Sequence, residues 1–363
     1  MKIAQVAPLF ERVPPKLYGG TERVVSYLTE ELVRKGHDVT LFASGDSLTA
    51  ARLVPCSPTA LRLNPSIEDE LPYHLLMLEK VSERAAAFDI VHFHTDLIHL
   101  PSTHGFRDKT LTTLHGRLDR PDLVPFYRTF ADAPLVSISD NQREPISGLN
   151  WRGTIHHGLP GDMLRFDPSS RGEYLAFLGR ISPEKGPDTA IRIASNLGLP
   201  LKIAAKIDAL DRPYWDAEIA PMVTAHPKVE FVGEVSERQK ATFLAGARAL
   251  LFPISWREPF GLVMIEAMAC GTPVVAFGAG AVPEVIDEGV TGFVVNNIAE
   301  AVAAVPKASK LDRARIRQVF EKRFTASRMA DDYLRLYREL LDADLEVDQT
   351  RPASKSGPHA AML

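Results

Sequence analysis

The sequence predicts an α/β protein made of two doubly wound, Rossmann-like domains with parallel sheets. Short apolar runs alternate with amphipathic stretches of helical period along most of the 363 residues. That length exceeds one ordinary core and suits two domains of roughly 150 to 180 residues. The alternation lapses around 159–172, where Pro, Gly, Asp and Ser accumulate and no apolar period survives. Alternating strands and helices form a parallel sheet covered by helices on both faces.

Taken in order, KIAQVAP reads as a strand. TERVVSYLTEELVRKG reads as a helix with Val24, Val25, Leu28, Leu32 and Val33 on one face and Gly36 as its stop, and HDVTLFAS as the next strand. A helical stretch at 75–88 precedes strands at DIVHFH (89–94), TLTTLHG (110–116) and PLVSISD (134–140). The second series runs strand YLAFLGR, helix DTAIRIASNLG, strands LPLKIAAK and VEFVGEV, helix ERQKATFLAGA, strand ALLFPI, helix GLVMIEAMACG and strand TPVVAF. The expected boundaries are 1–165 and 166–325, then a helix over 326–342 and a mobile tail over 343–363, which lacks apolar periodicity.

Bulk properties remove several function classes. With 42 Lys+Arg against 46 Asp+Glu and a net charge of −4, nothing draws the chain to nucleic acid. Cys56 and Cys270 lie far apart without ligand spacing, which fits a reducing cytoplasm and neither a disulfide framework nor a zinc site. The apolar run at the amino terminus is too short for a secretory leader, and no stretch is long and apolar enough to span a membrane. A cytoplasmic location is expected.

In doubly wound sheets, ligands sit beyond the carboxyl ends of the strands. Gly19 and Gly20 precede the first helix, where bare backbone amides can receive a phosphate or hydroxyl, although such a pair is also an ordinary turn. Arg180 and Lys185 follow the strand YLAFLGR and suit a departing diphosphate, or else are solvated surface charge. More telling is Trp256–Gly280, where Pro259 holds Glu258 extended and starts a turn. The amides of Phe260, Gly261 and Leu262 then become free donors at a helix start, with Glu266 about one turn inside. Two carboxylates flanking an amide-lined helix start suggest a ligand with an anionic centre and hydroxyls at both ends. A nucleotide sugar has that shape, although helix capping or salt bridging would also explain a bare pair of glutamates.

The surrounding text resembles the retaining family 4 glycosyltransferases of the GT-B fold. Their donor signature E-x-F-G-x-x-x-x-E, followed by A-M-A-x-G-x-P-V, stands here as Glu258-Pro259-Phe260-Gly261 through Glu266 and on to Gly271 and Pro273. Supporting segments appear in the family's order: the Gly19–Gly20 turn with Glu22, the LHG of His115, SISD, GRISPEKG, VEFVGEV and VPEVIDEGVTGFVV. The resemblance implies two sheets facing a central cleft, with the helix over 326–342 returning to the first domain. It implies transfer of a hexose from a nucleoside diphosphate sugar, probed first as a uridine diphosphate sugar, to an acceptor hydroxyl, with retention and without a metal cofactor.

By that likeness Arg180 and Lys185 bind the diphosphate, Glu266 the ribose hydroxyls, and Glu258 with the amides of Phe260–Leu262 the sugar hydroxyls. The backbone of VEFVGEV, at Val232, supplies the base contact, and His115 faces the donor sugar across the cleft. Tyr18, Glu22 and His94 are the acceptor-side candidates, and the acceptor itself is not identified. Thr-Ile-His156-His157-Gly158 stands where relatives read Asn-Gly, and Lys206 where many carry a Gly-rich turn; Lys206 either adds a cation or covers the site.

His92 and His94 share a strand face, as metal ligands can, but no companion ligands accompany them. Arg107, Lys109, Arg117, Arg120 and Arg128 form either a weak membrane or anion contact or a solvated rim. A dehydrogenase is disfavoured because no G-x-G-x-x-G follows the first strand. An epimerase on the same fold and a non-catalytic nucleotide-sugar binder remain as alternatives.

Overall fold

A computed structural model describes residues 1–16, 19–62, 64–170 and 172–350, with side chains as far as residue 342. The first sheet holds strands β1 (Lys2–Val6), β2 (Asp38–Ser44), β3 (Arg52–Ser57), β4 (Ile90–Phe93), β5 (Thr110–Thr113), β6 (Leu135–Ser137) and β7 (Trp151–Thr154). The second holds β8 (Tyr174–Arg180), β9 (Leu201–Lys206), β10 (Val229–Gly233), β11 (Ala247–Phe252), β12 (Val274–Phe277) and β13 (Gly292–Val295). Their orders are β3-β2-β1-β4-β5-β6-β7 and β10-β9-β8-β11-β12-β13. Pairing is parallel throughout both sheets. The predicted two-domain α/β architecture is present. Strands β3, β7 and β13 were not legible as strands; Pro55 in β3 and Gly153 in β7 weaken those runs.

Helices α1 (Gly20–Arg34), α2 (Leu71–Ser82), α3 (Leu123–Thr129) and α4 (Asp140–Arg143) belong to the first domain. The second carries α5 (Pro187–Leu197), α6 (Arg212–Tyr214), α7 (Ala220–Ala225), α8 (Glu237–Ala245), α9 (Leu262–Ala269), α10 (Val282–Val285), α11 (Ile298–Ala308) and α12 (Arg313–Arg323). The last helix, α13 (Ala326–Thr350), returns to the first domain. Met329, Tyr333, Leu336, Tyr337 and Leu340 lie buried in one cluster with Val24, Leu28 and Leu32 of α1 and Ile3 of β1. Burying each such side chain favours docking by roughly 1.5–3 kcal/mol.

Of the tail expected from residue 343, the stretch up to Thr350 continues α13, while 351–363 lies outside the described residues. The helix persists to that point because no Gly or Pro interrupts it.

The chain passes between the domains twice, and the two crossings pair. Leu159 N–H donates to the Phe324 carbonyl (2.9 Å), and Ala326 N–H donates to the Leu159 carbonyl (2.8 Å). A Cβ at Gly158 would lie 2.3 Å from the Thr325 carbonyl oxygen, so only glycine permits this approach. Sheet order reverses between β1 and β4 and between β8 and β11, and crevices open beyond the strand ends at such points.

Candidate active site

A cavity of about 960 Å³ lies between the domains and is lined from both of these switch points. The carboxy-terminal half is built on α9. Gly261 takes φ 84°, a left-handed turn that frees the first α9 amides from intrahelical bonding, and a Cβ there would lie 2.8 Å from Met264 Cε. Phe260 is 2% exposed, its ring 5.0 Å from that of His157, so its side chain anchors the turn at the cavity wall. Gly20 begins α1 across the cleft, and a Cβ on it would sit 3.8 Å from Leu262 Cδ1. The starts of α1 and α9 therefore face each other, and their positive dipole ends converge on one space.

Glu258 and Glu266 both line this cavity, and each is held by a lysine. Lys185 Nζ donates to Glu258 Oε2 and lies 4.6 Å from the Trp256 ring. Lys240 Nζ donates to Glu266 Oε1 (2.7 Å) and to Glu237 Oε1 (2.8 Å), and Glu237 in turn pairs with Arg23 of the first domain (2.6 Å). Burial disfavours the Lys240 charge, but Glu266 and Glu237 outweigh it and raise its pKa. Arg180 pairs with Glu184 (2.6 Å) and Asp211 (3.2 Å), and Lys206 with Asp208 (2.7 Å); both cations line the cavity. Charge here is thus stored as ion pairs around an amide-lined helix start, an arrangement that can release cations to an anion and carboxylates to hydroxyls.

The amino-terminal half places a group of buried histidines at the cavity beside the carboxylates of Asp96 and Glu22. His115 lines the cavity, its backbone N–H donating to Asp96 Oδ1 (2.9 Å) and its ring stacked 5.3 Å from that of His157. His94, 2% exposed, also lines the cavity and bonds His115 (2.9 Å) and Gln5 (2.8 Å). Burial lowers the His115 pKa to about 3 and holds His92, His94 and His157 well below the usual histidine range. Both ring nitrogens of His92 are also taken, by Tyr337 and Thr113 (2.7 Å each). Glu22 is buried beside the cavity, where its carboxylate accepts the Glu11 N–H (3.3 Å) and burial raises its pKa to about 7.

Most of the sequence candidates thus converge, including Gly19 and Pro259, which also line the cavity. Val232 does not: it is 41% exposed on the edge strand β10, outside the lining. The strand ends at Gly233 with φ 83°, and that turn directs Glu234 and Val235 into the cavity instead. Tyr18 lies outside the described residues. Lys240 was missed, although its place three and four residues before Phe243 and Leu244, on an otherwise apolar helix face, was an available signal. In the arginine-rich group, Arg107, Arg117 and Arg120 each pair with an aspartate, and Arg117 lies 5.3 Å from the Trp256 ring. Among the described residues no helix is long and apolar enough to cross a membrane.

Comparison with known proteins agrees with this geometry. The family model described as glycosyl transferases group 1 matches residues 165–322, and that described as glycosyltransferase family 4 matches 18–141. A D-inositol 3-phosphate glycosyltransferase of Mycobacterium leprae is 32% identical over 58% of this chain, a match spanning only 55% of that relative. One of Mycolicibacterium smegmatis is 27% identical over 95% of this chain and 92% of its own length. Among solved structures, AviGT4, a glycosyltransferase involved in avilamycin A biosynthesis, superposes with a TM-score of 0.73 at 24% identity, covering 94% of this chain and 98% of its own. Sucrose-phosphate synthase from Thermosynechococcus elongatus gives 0.78 at 19% identity, covering 94% and 99%. Anabaena HepE in complex with UDP and glucose gives 0.71 at 18%, covering 93% and 100%. The chain has the GT-B fold and belongs to the family 4 glycosyltransferases.

Proposed function

We propose that the protein transfers a hexose from a nucleoside diphosphate sugar, first to be tried as a uridine diphosphate sugar, to an acceptor hydroxyl with retention of configuration. The observation that carries this reading is the pairing of Glu258 and Glu266 with Lys185 and Lys240 on either side of the α9 start, inside one interdomain cavity. In this reading the pyrophosphate takes the α9 amides with Lys185 and Arg180. Glu266 accepts the ribose hydroxyls, Glu258 the sugar hydroxyls, and His115 meets the sugar from the opposite domain. The bond from the anomeric carbon to the phosphate oxygen breaks as the acceptor oxygen attacks from the same face, and the departing phosphate oxygen takes the acceptor's proton. Preorganised cations and amides stabilise the charge on the leaving group, at about 3–4 kcal/mol per donor. No metal is required in this scheme, so chelation with EDTA should leave the rate unchanged.

The test is to incubate the chain with nucleoside diphosphate hexoses and an acceptor panel that begins with D-inositol 3-phosphate, the acceptor in the relatives' name. Nucleoside diphosphate release and the product's anomeric configuration are measured. Acceptor-dependent release with retention supports the proposal. Conversion of the donor sugar without acceptor would make the protein an epimerase, and binding without turnover a non-catalytic sugar-nucleotide binder.

A further inference from the structure

His115 is the cavity end of a hydrogen-bonded chain that starts on α13. Gln5 Nε2 donates to the Tyr337 hydroxyl (3.1 Å), and Gln5 Oε1 lies 2.8 Å from His94 Nε2. His94 Nδ1 lies 2.9 Å from His115 Nε2. On the other branch the Tyr337 hydroxyl lies 2.7 Å from His92 Nδ1. His92 Nε2 in turn lies 2.7 Å from the Thr113 hydroxyl, which is 2.8 Å from that of Tyr333.

A neutral imidazole has one N–H and one lone pair, so these bonds determine one another. The Gln5 carbonyl oxygen can only accept, which places a proton on His94 Nε2. His94 Nδ1 is then an acceptor, which places a proton on His115 Nε2. His115 Nδ1 is left as a lone pair, and among the described residues no side chain bonds to it. Along the other branch the Tyr337 hydroxyl receives the Gln5 amide proton and donates its own to His92 Nδ1, so His92 also carries its proton on Nε2. Burial keeps all three rings neutral, as this logic requires.

We propose that Gln5 and Tyr337 are positioning residues that hold His115 as the Nε2–H tautomer, so that its Nδ1 accepts a hydrogen bond from a substrate hydroxyl. The partner group is thereby specified as a donor, a hydroxyl rather than an oxyanion, and the specification is imposed by a helix that arrives from the other domain. The identity of that hydroxyl rests on the proposed sugar-transfer reading; the tautomer does not.

The test is two-bond 1H–15N correlation of the full chain with 15N-labelled histidine. His92, His94 and His115 are expected to be neutral and protonated at Nε2. Protonation of His115 at Nδ1 overturns the proposal, because it means the Gln5 amide faces the other way. Gln5→Leu should give a mixture of His115 tautomers and lower kcat by about tenfold, the effect of losing one hydrogen bond, with KM for the donor little changed. Tyr337→Phe, which keeps the buried ring, should shift the His94 and His115 signals in the same direction. Unchanged His115 signals in both folded variants would refute the coupling. The correct tautomer in a chain that transfers no sugar would retain the positioning claim and refute the transferase reading instead.

Discussion

The two halves of the cavity differ in how they present polar groups. The carboxy-terminal half stores charge in ion pairs: Lys185 with Glu258, Lys240 with Glu266, and Arg180 with Glu184. The amino-terminal half adds, around His94, His115 and His157, a group of rings kept neutral by burial, beside the carboxylates of Asp96 and Glu22. The charged half suits a ligand that is anionic at its centre, and the histidine group suits hydroxyls that need orientation rather than charge. Where both meet, the α1 and α9 starts supply amide donors from both domains, so the site is complete only when the domains face each other.

The contrast can be broken most sharply at Lys185. Lys185→Ala removes the cation from the α9 start and should lower turnover by at least about 100-fold with a verified donor. A near-normal rate in steady-state assays would detach the ion pairs from catalysis. Next is Lys240→Met, which leaves Glu266 and Glu237 without their shared cation. Breaking a buried pair costs about 3 kcal/mol. Chemical denaturation should show that loss, and Lys240→Met combined with Glu266→Gln should recover most of it.

Protonation sharpens the comparison further. The neutral histidines have lowered folded-state pKa values, about 3 for His115 against 6.5. The unfolded chain therefore binds more protons between those limits, and stability should fall as pH drops below about 6.5. Glu22 works in the opposite sense. Its folded-state pKa is raised by burial from 4.5 to about 7, so its contribution is full below 4.5 and lost as pH rises through 7. Glu22→Gln should thus melt increasingly above wild type as pH goes from 4.5 to 7, and a constant difference across that window would contradict the burial argument. The smallest effect belongs to Val232→Ser, which should leave donor affinity unchanged in calorimetry because the side chain lies outside the cavity.

How much of this could be read from sequence follows the same division. Glu258, Gly261 and Glu266 sit within one short segment, where a turn and a helix alone decide their relation, so the charged half was legible. The alternation of strands likewise revealed both sheets, apart from strands with Pro or Gly such as β3 and β7. The histidine group was not legible as a unit. Gln5, His94, His115 and Tyr337 come from β1, the ends of β4 and β5, and α13, and only parallel pairing and the return of the last helix bring them together. Arg23 was hidden for the same reason, since its carboxylate partner Glu237 lies across the cleft, and the pairing of Lys240 with Glu266 likewise joins two elements.

A crystal structure of the chain with a bound nucleoside diphosphate sugar tests the central claim most directly. The pyrophosphate should lie against the first amides of α9 with Lys185 beside it, ribose hydroxyls on Glu266, and sugar hydroxyls between Glu258 and His115. A pyrophosphate bound elsewhere, with both glutamates still engaged only by their lysines, would contradict it.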